Sequence, residues 1–259
     1  MILDKICASK KDEVARRKAE APVEGLIERA RTAAAARGFE GALKMPEMSL
    51  IAEIKRHSPS KGKLMDCGDP LPLGRTYEKA GARAISVLTD EKFFHGALAD
   101  LERVRGGVKT PCLRKDFIID EYQIHEARAH GADAILLIAR ILSDAQMRDY
   151  LHLAREWGMG VLTETHSAAE VERAVEAGAK IIGINNRDLD TFQVHLSTTL
   201  ELRKLVPAGC TLVSESGIHA REDVLKLQDA GVDAILVGEA LVTSGDVRAK
   251  IHELLGHES

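Results

Sequence analysis

His130-Gly131-Ala132-Asp133-Ala134-Ile135-Leu136-Leu137 is the stretch whose reading decides the fold. A helical pattern over Glu121–His130 runs into Gly131, two residues pass, and an unbroken apolar run follows. Gly just past a helix is the expected left-handed cap. An apolar run without alternation is what a strand buried on both faces looks like. The pattern recurs as Ala80-Gly81-Ala82-Arg83-Ala84-Ile85-Ser86-Val87, as Ala177-Gly178-Ala179-Lys180-Ile181-Ile182-Gly183-Ile184 and as Ala230-Gly231-Val232-Asp233-Ala234-Ile235-Leu236-Val237. Trp157-Gly158-Met159-Gly160-Val161-Leu162 is a looser copy. Thr110-Pro111-Cys112-Leu113 and Cys210-Thr211-Leu212-Val213 lack the Gly but lie between helical patterns. With Leu50–Ile54 these make eight strand candidates over residues 49–238. Helical patterns follow them, among them Asp144–Glu156, Ala168–Ala177 and Ala220–Ala230. Alternating β and α elements specify a parallel sheet, and eight units in about 190 residues suit a closed (β/α)8 TIM barrel, an α/β fold. An open doubly wound sheet is the alternative, weakened by the absence of G-x-G-x-x-G after a strand.

The chain has 259 residues, 45% hydrophobic and 29% charged, which is ordinary for a globular protein. Chains of this length bury roughly three-quarters of their unfolded surface. A net charge of −4 supplies no basic field for nucleic acid, so no such partner is expected. An anionic substrate must be held by local charge. No apolar run reaches the ~20 residues of a membrane span, and Met1–Lys5 lacks a secretory apolar region. The four cysteines, Cys7, Cys67, Cys112 and Cys210, form no CxxC pair. Cys112 and Cys210, beside strand candidates, read as buried small hydrophobes. A reducing cytoplasm, no membrane partner and no structural zinc are the resulting expectations.

Residues 1–46 read as a helical extension of one domain covering 1–259. Leu3, Ile6, Cys7, Lys10 and Val14 form a stripe at helical spacing. Pro22 can start a second helix, in which Leu26, Ile27, Ala30, Ala33 and Ala34 share a face. Gly38 and Gly41 would end it.

Barrel enzymes place their chemistry at the C-terminal ends of the strands. The first strand leads into Glu53-Ile54-Lys55-Arg56-His57-Ser58-Pro59-Ser60-Lys61-Gly62. Glu53 and Lys55, two residues apart, share one face of an extended chain. Alone they would be an ordinary strand-end ion pair of little energetic weight. The second strand is followed by Thr89-Asp90-Glu91-Lys92-Phe93-Phe94-His95-Gly96 and the third by Arg114-Lys115-Asp116-Phe117. Glu164 and His166 follow the fifth, Asn185-Asn186-Arg187-Asp188 the sixth, Glu215-Ser216-Gly217 the seventh and Gly238-Glu239 the eighth. Polar groups converging from so many strand ends argue for a shared site.

The loops Ser216-Gly217 and Gly238-Glu239 stand where such barrels often bind phosphate, with Gly letting backbone N–H groups approach an anion. Plain left-handed turns are the competing explanation. Lys55 and Lys115 would point into the mouth. An ammonium near a second cation and partly desolvated loses proton affinity and can act as a general acid. It can equally be a fixed charge for a carboxylate or phosphate, or a surface lysine whose stem packs on Phe94 or Phe117. Glu53, Glu164 and Glu215, beside two lysines, would stay ionised or share protons, which suits base work and cation stabilisation. There is no HExxH and no spaced ligand cluster, so no metal is expected. His57, His95 and His166 are isolated and read as hydrogen-bonding or rim residues. Phe93, Phe94 and Phe117 would wall a flat ring, or simply plug the barrel top. Ser58 or Arg187 is available for a second anion.

These motifs resemble the indole-3-glycerol phosphate synthase family. The resemblance is carried by Ile51–Gly62, Ser86–Gly96, Arg114–Ile118, Gly183–Leu189 and Ser214–Ile218, and it covers essentially the whole chain. It implies a (β/α)8 barrel that uses neither cofactor nor metal. The implied reaction converts 1-(2-carboxyphenylamino)-1-deoxyribulose 5-phosphate to indole-3-glycerol phosphate in tryptophan biosynthesis, releasing CO2 and water. By resemblance, Lys115 is the acid of ring closure, paired with Glu53. Glu164 is base or cation stabiliser, and Lys55 an anion holder or second acid. Asn185 orients a substrate hydroxyl, and Glu215 and Ser216 line the site. Gly217, Gly238 and Glu239, the last through its backbone, join Ser216 at the phosphate, Ser58 and Arg187 meet the carboxylate, and Phe94 and Phe117 meet the ring. Leu136 and Leu236 complete the substrate-lining set. His166 receives no role. The loop Lys63–Asp69 departs from the family's usual acidic or aromatic run, which leaves its order open; with the residues before it, it reads as a mobile flap. A monofunctional, monomeric chain is expected, with no room for a fused isomerase barrel. A Schiff-base aldolase on the same fold and a non-catalytic sugar-phosphate sensor are the competing readings.

Overall fold

In the computed structural model, which describes residues 2–59, 61–65 and 68–257, the eight strand candidates close into a barrel. They are β1 (Ser49–Ile54), β2 (Ala84–Leu88), β3 (Cys112–Lys115), β4 (Ala134–Ile138), β5 (Gly160–Thr165), β6 (Ile181–Asn185), β7 (Thr211–Glu215) and β8 (Ala234–Val237). All pair in parallel in chain order, and β8 returns to β1. Thr110, Pro111 and Cys210 precede their strands instead of starting them. Gly81, Gly131, Gly178 and Gly231 have φ between 76° and 101°, the left-handed caps that the repeat requires. Beyond β1 a small antiparallel hairpin pairs His57–Ser58 with Gly62–Lys63. Ser60, Asp66 and Cys67, which fall in the loop expected to be a flap, lie outside the described residues.

The register explains how the barrel mouth is built. Glu53 pairs with Ser86, and Ser86 with Leu113, two residues short of Lys115. Leu113 leads through Ala134 to Gly160, two short of Leu162. Glu164 leads through Gly183 to Val213, two short of Glu215. Glu215 leads through Leu236 to Ile51, two short of Glu53. Barrel interiors are filled by layers of four side chains from alternate strands. Ile51, Leu113, Leu162 and Val213 are one such layer, inside the apolar core. Glu53, Lys115, Glu164 and Glu215, each two residues further along the same strands, are the layer above it. Ser86, Leu136, Gly183 and Leu236, from the intervening strands, lie between the two.

The N-terminal extension covers both ends of the barrel. α1 (Ile2–Glu20) buries Leu3, Ile6 and Val14, as the spacing predicts. Lys10 is buried too, but as an ion: its ammonium lies 2.9 Å from Asp90, 2.9 Å from Asp116 and 2.8 Å from Glu13. Cys7 is only half-buried. Arg17 reaches Glu126 at 3.0 Å, so α1 is held by charge as well as by apolar contact. α2 (Val23–Thr32) stops sooner than expected: Ala33 is extended at ψ 145°, and Ala34 lies outside the helix. Arg128 donates to the carbonyls of both alanines, and Asp133 accepts the Arg37 backbone N–H, so tertiary contacts override alanine's helix preference. Gly38 therefore precedes a new helix, α3 (Phe39–Leu43), and Gly41 lies within it. α3 sets Phe39 and Leu43 against the lower core layers, closing the N-terminal end of the barrel. Cys112 is buried, whereas Cys210, in the turn before β7, is half-buried. Among the described residues no helix is long and apolar enough to cross a membrane.

Candidate active site

The charged layer is a connected set. Glu53 Oε1 lies 2.7 Å from Lys55 Nζ, the pairing that their two-residue spacing predicts. Lys115 Nζ stands 3.4 Å from Glu164, 3.8 Å from Glu215 and 4.0 Å from Glu53. Burial alone would lower the proton affinity of Lys115, but Glu164, Glu215 and Glu53 outweigh it and raise it. This reverses the expectation of a lysine weakened by a second cation: three carboxylates surround the ammonium, and Lys55 is already paired with one of them. Burial opposes the charge on Glu53 and Glu164 as well. Lys55 and Lys115 hold Glu53 below the usual carboxylate range, and Lys115 and His166 do the same for Glu164.

Glu215 is the exception. Its carboxyl is pushed up to about 8 by burial and then by the neighbouring Glu164 charge, against the pull of Lys115. Neither of its oxygens has a hydrogen-bond partner among the described residues. Two glycines make room for these carboxyls. A Cβ on Gly183 would sit 2.3 Å from Glu215 Oε1, and one on Gly238 would sit 2.6 Å from Glu53 Oε1.

Ser216, Gly217, Gly238, Glu239 and Leu236 line a cleft of about 290 Å³ that opens onto Glu53, Lys55 and Lys115. Ser216 and Gly217 are both left-handed, with φ 67° and 77°. The Glu239 side chain takes part directly, 3.2 Å from Lys61 Nζ and 3.6 Å from Arg187 Nη2. Asn185 faces the same cleft, and its Oδ1 accepts the Arg187 backbone N–H at 3.0 Å. Beside it, an apolar pocket is walled by Phe94 and Phe117, whose rings are 5.9 Å apart, with Leu136 at its base. Ser58 and Arg187 border this pocket on the outer side. The structure thus brings together the sequence-predicted catalytic and substrate-lining residues, with one exception among the aromatics. Phe93 does not join the wall; its ring packs under Lys92, with Nζ 5.7 Å from the ring centroid.

Sequence reasoning left other parts of the site unassigned. Ile2, Leu3 and Ile6 of α1 roof the apolar pocket, together with Leu189 and Phe192 from the loop after β6. The helical stripe turned Leu3 and Ile6 inward but did not say against what, and Ile2 lay outside it. Lys61 was inside the quoted motif, and only its contact with Glu239 reveals its place. His166 lies 3.3 Å from Glu164 and joins the charged layer from outside. His57 and His95 stack at 4.3 Å on the rim.

A family model described as indole-3-glycerol phosphate synthase matches residues 3–254. The chain is 49% identical over 257 residues to the indole-3-glycerol phosphate synthase of Paenarthrobacter aurescens, covering 97% of this chain and 94% of that protein. It is 48% identical over 264 residues to the protein of that name from Roseiflexus castenholzii, with 98% of each covered. For the Mycolicibacterium smegmatis protein of that name the identity is 44% over 254 residues, covering 98% of this chain and 93% of the other. Among solved structures, a 3-hexulose-6-phosphate synthase superposes with a TM-score of 0.66 at 16% identity, covering 81% of this chain and 99% of the other. A chain of the Pyrococcus furiosus tryptophan synthase complex does so at 0.61 and 20% identity, covering 80% and 98%. At such identities these two show the shared barrel alone.

Proposed function

This chain belongs to the indole-3-glycerol phosphate synthase family, and from that premise we propose that it closes, decarboxylates and dehydrates 1-(2-carboxyphenylamino)-1-deoxyribulose 5-phosphate by lysine–glutamate acid–base chemistry. The observation that carries the reading is the layer Glu53–Lys115–Glu164–Glu215, with the aromatic pocket on one side and the glycine-lined cleft on the other. The phosphate lies against Ser216, Gly217, Gly238 and the Glu239 backbone. The ring lies between Phe94 and Phe117, over Leu136, and its carboxylate meets Ser58 and Arg187. Leu236 floors the phosphate side, and Asn185 orients a substrate hydroxyl.

Ring closure moves electrons from the aromatic carbon onto the ketone carbon, and the ketone oxygen needs a proton. Lys115 is held as a loaded ammonium by its carboxylates and delivers that proton, steadied by Glu53. The nitrogen becomes cationic as the ring carbon attacks. Glu164, held as an anion by two cations, stabilises that charge better than it collects a proton. Loss of CO2 restores the ring. Dehydration then needs one acid and one base. Lys55 is a second acid, and Glu215, titrating at about 8, can exchange a proton near neutral pH.

The same reading takes residues 1–259 as one domain, monomeric and cytoplasmic, needing no cofactor, metal, membrane or nucleic-acid partner. The test is a fluorescence assay for indole-3-glycerol phosphate with purified protein and no added metal. Product is expected, and its absence at micromolar enzyme overturns the reading. Borohydride trapping of a substrate adduct on Lys55 or Lys115 would favour the Schiff-base alternative. The raised proton affinity of Lys115 argues against that, since an imine-forming lysine must be neutral.

A further inference from the structure

Glu170, His166 and Glu164 form a line from the helix outside β5 to the charged layer inside the barrel. His166 Nδ1 hydrogen-bonds Glu170 Oε2 at 3.3 Å, and Nε2 is 3.3 Å from Glu164 Oε1, an ion-pair distance that makes no hydrogen bond. The histidine side chain is only 9% exposed. Its outer end is fixed twice, because the same Glu170 oxygen accepts the His166 backbone N–H at 2.8 Å. Glu170 is the third residue of the helix Ala168–Glu176, whose N-cap Ser167 accepts the Glu170 N–H. In a capping box the glutamate at this position returns to the N-cap's own N–H. Here it reaches one residue further back and takes up His166 instead. The cap of an outer helix is thereby tied to a ring that faces the site.

The inner end divides Glu164 between two cations. Oε2 faces Lys115 at 3.4 Å and Oε1 faces His166. Burial works against a charged imidazole, but Glu164 and Glu170 outweigh it and push His166 up to about 10. Among the described residues, the other charged groups facing this line are Lys115 from β3, Glu53 from β1, Glu215 from β7 and Arg140 after β4, the last paired with Asp190 at 2.7 Å.

We infer that His166 is a positioning residue for the proposed reaction: clamped by Glu170, it holds Glu164 as an aimed anion beside the nitrogen that becomes positive. This rests on the role given to Glu164 above. Lacking that cation, Glu164 would face Lys115 alone and compete with Glu215 for a proton.

Two variants of the full chain, E170Q and H166Q, test it. Glutamine at 170 keeps an acceptor for the backbone N–H and removes only the charge. In an NMR titration of the His166 ring nitrogens, the wild type stays charged at about pH 8, and in E170Q the midpoint falls by about one pH unit or more. A neutral His166 at about pH 8 in the wild type overturns the inference. In kcat against pH, the acidic limb of H166Q moves up by about one unit or more while KM changes little. A merely structural role would lower kcat equally at all pH without moving the limb, and that result also overturns it. If the wild type makes no indole product, the family reaction fails instead. The nitrogen titration needs no turnover, and it still decides whether the clamp exists.

Discussion

Glu215 Oε2 stands 3.8 Å from Lys115 Nζ across the barrel, yet neither Glu215 oxygen has a hydrogen-bond partner among the described residues. The two residues come from β3 and β7, on opposite walls. The ammonium is shared with Glu164 and Glu53, which divides its pull. Glu215 is therefore the carboxyl of the layer that burial and its like-charged neighbours push toward neutrality.

That has a consequence for stability. The Glu215 carboxyl titrates near 4.5 when unfolded and at about 8 when folded. Between those values the folded protein binds more protons than the unfolded chain, so stability falls as pH rises through the window. Its contribution is fully present below 4.5 and lost above about 8. Glu215→Gln does not titrate. Its melting temperature relative to wild type should rise steadily across the window and level off above it. One pKa unit of real shift is worth about 1.4 kcal/mol, or about 3–6 °C for a chain of this size. Thermal melts at several pH values check it. A difference independent of pH would mean that Glu215 is ionised throughout.

Lys115→Met removes the proposed acid and keeps the stem. Turnover should fall by about 10²–10⁴, the usual contribution of a placed general acid. Inorganic phosphate should still inhibit through the glycine-lined end of the cleft, where Ser216, Gly217 and Gly238 are unchanged. Product formation is the measurement, with phosphate protection as the control. Activity within about tenfold of wild type would remove Lys115 from the acid role, because a general acid contributes more than that.

Gly238→Ala tests whether a missing side chain matters as much as the ones present. The added Cβ would lie 2.6 Å from Glu53 Oε1 and 3.1 Å from Glu53 Cβ. Glu53 must then swing from its 2.7 Å contact with Lys55. A displacement of about 1 Å at a catalytic group can cost about 100-fold in rate. Overpacking a tight site costs about 1–3 kcal/mol in stability. Steady-state kinetics read beside a thermal melt separate the two. An unchanged kcat would show that the Glu53 position is not critical.

The repeated small-residue–Gly–apolar unit made the barrel legible because the strands are buried on both faces and most of the helices before them end in a left-handed Gly turn. The charged layer was legible for the same reason: residues just past an apolar run must stand at the mouth. Proton affinities were not. Whether Lys115 is lowered or raised depends on distances across the barrel, which spacing along one strand does not encode. His166 was passed over because its partner, Glu170, belongs to a helix cap and reads as surface charge. Ala33 and Ala34 misled because helix propensity is local, whereas Arg128, which holds their carbonyls, is remote in sequence.

Lys10→Met removes the ion that fastens α1 over the barrel mouth. Its ammonium sits among Asp90, Asp116 and Glu13 and is 1% exposed. Breaking a buried pair by removing one partner costs about 3–5 kcal/mol. Asp116 keeps Arg114 at 3.0 Å and Thr89 at 2.6 Å, which favours the lower end. About 3 kcal/mol corresponds to about 6–12 °C in melting temperature for a chain of this size. Asp116 directly follows Lys115, and Leu3 and Ile6 on the same helix roof the aromatic pocket. Loosening α1 should therefore raise KM at temperatures well below the melt, while kcat falls less. Lys10→Arg keeps the charge and should recover part of both losses. A melting temperature within about 1 °C of wild type for Lys10→Met, under 1 kcal/mol by the same conversion, would show that apolar contact and the Arg17 pair with Glu126 hold the helix without Lys10.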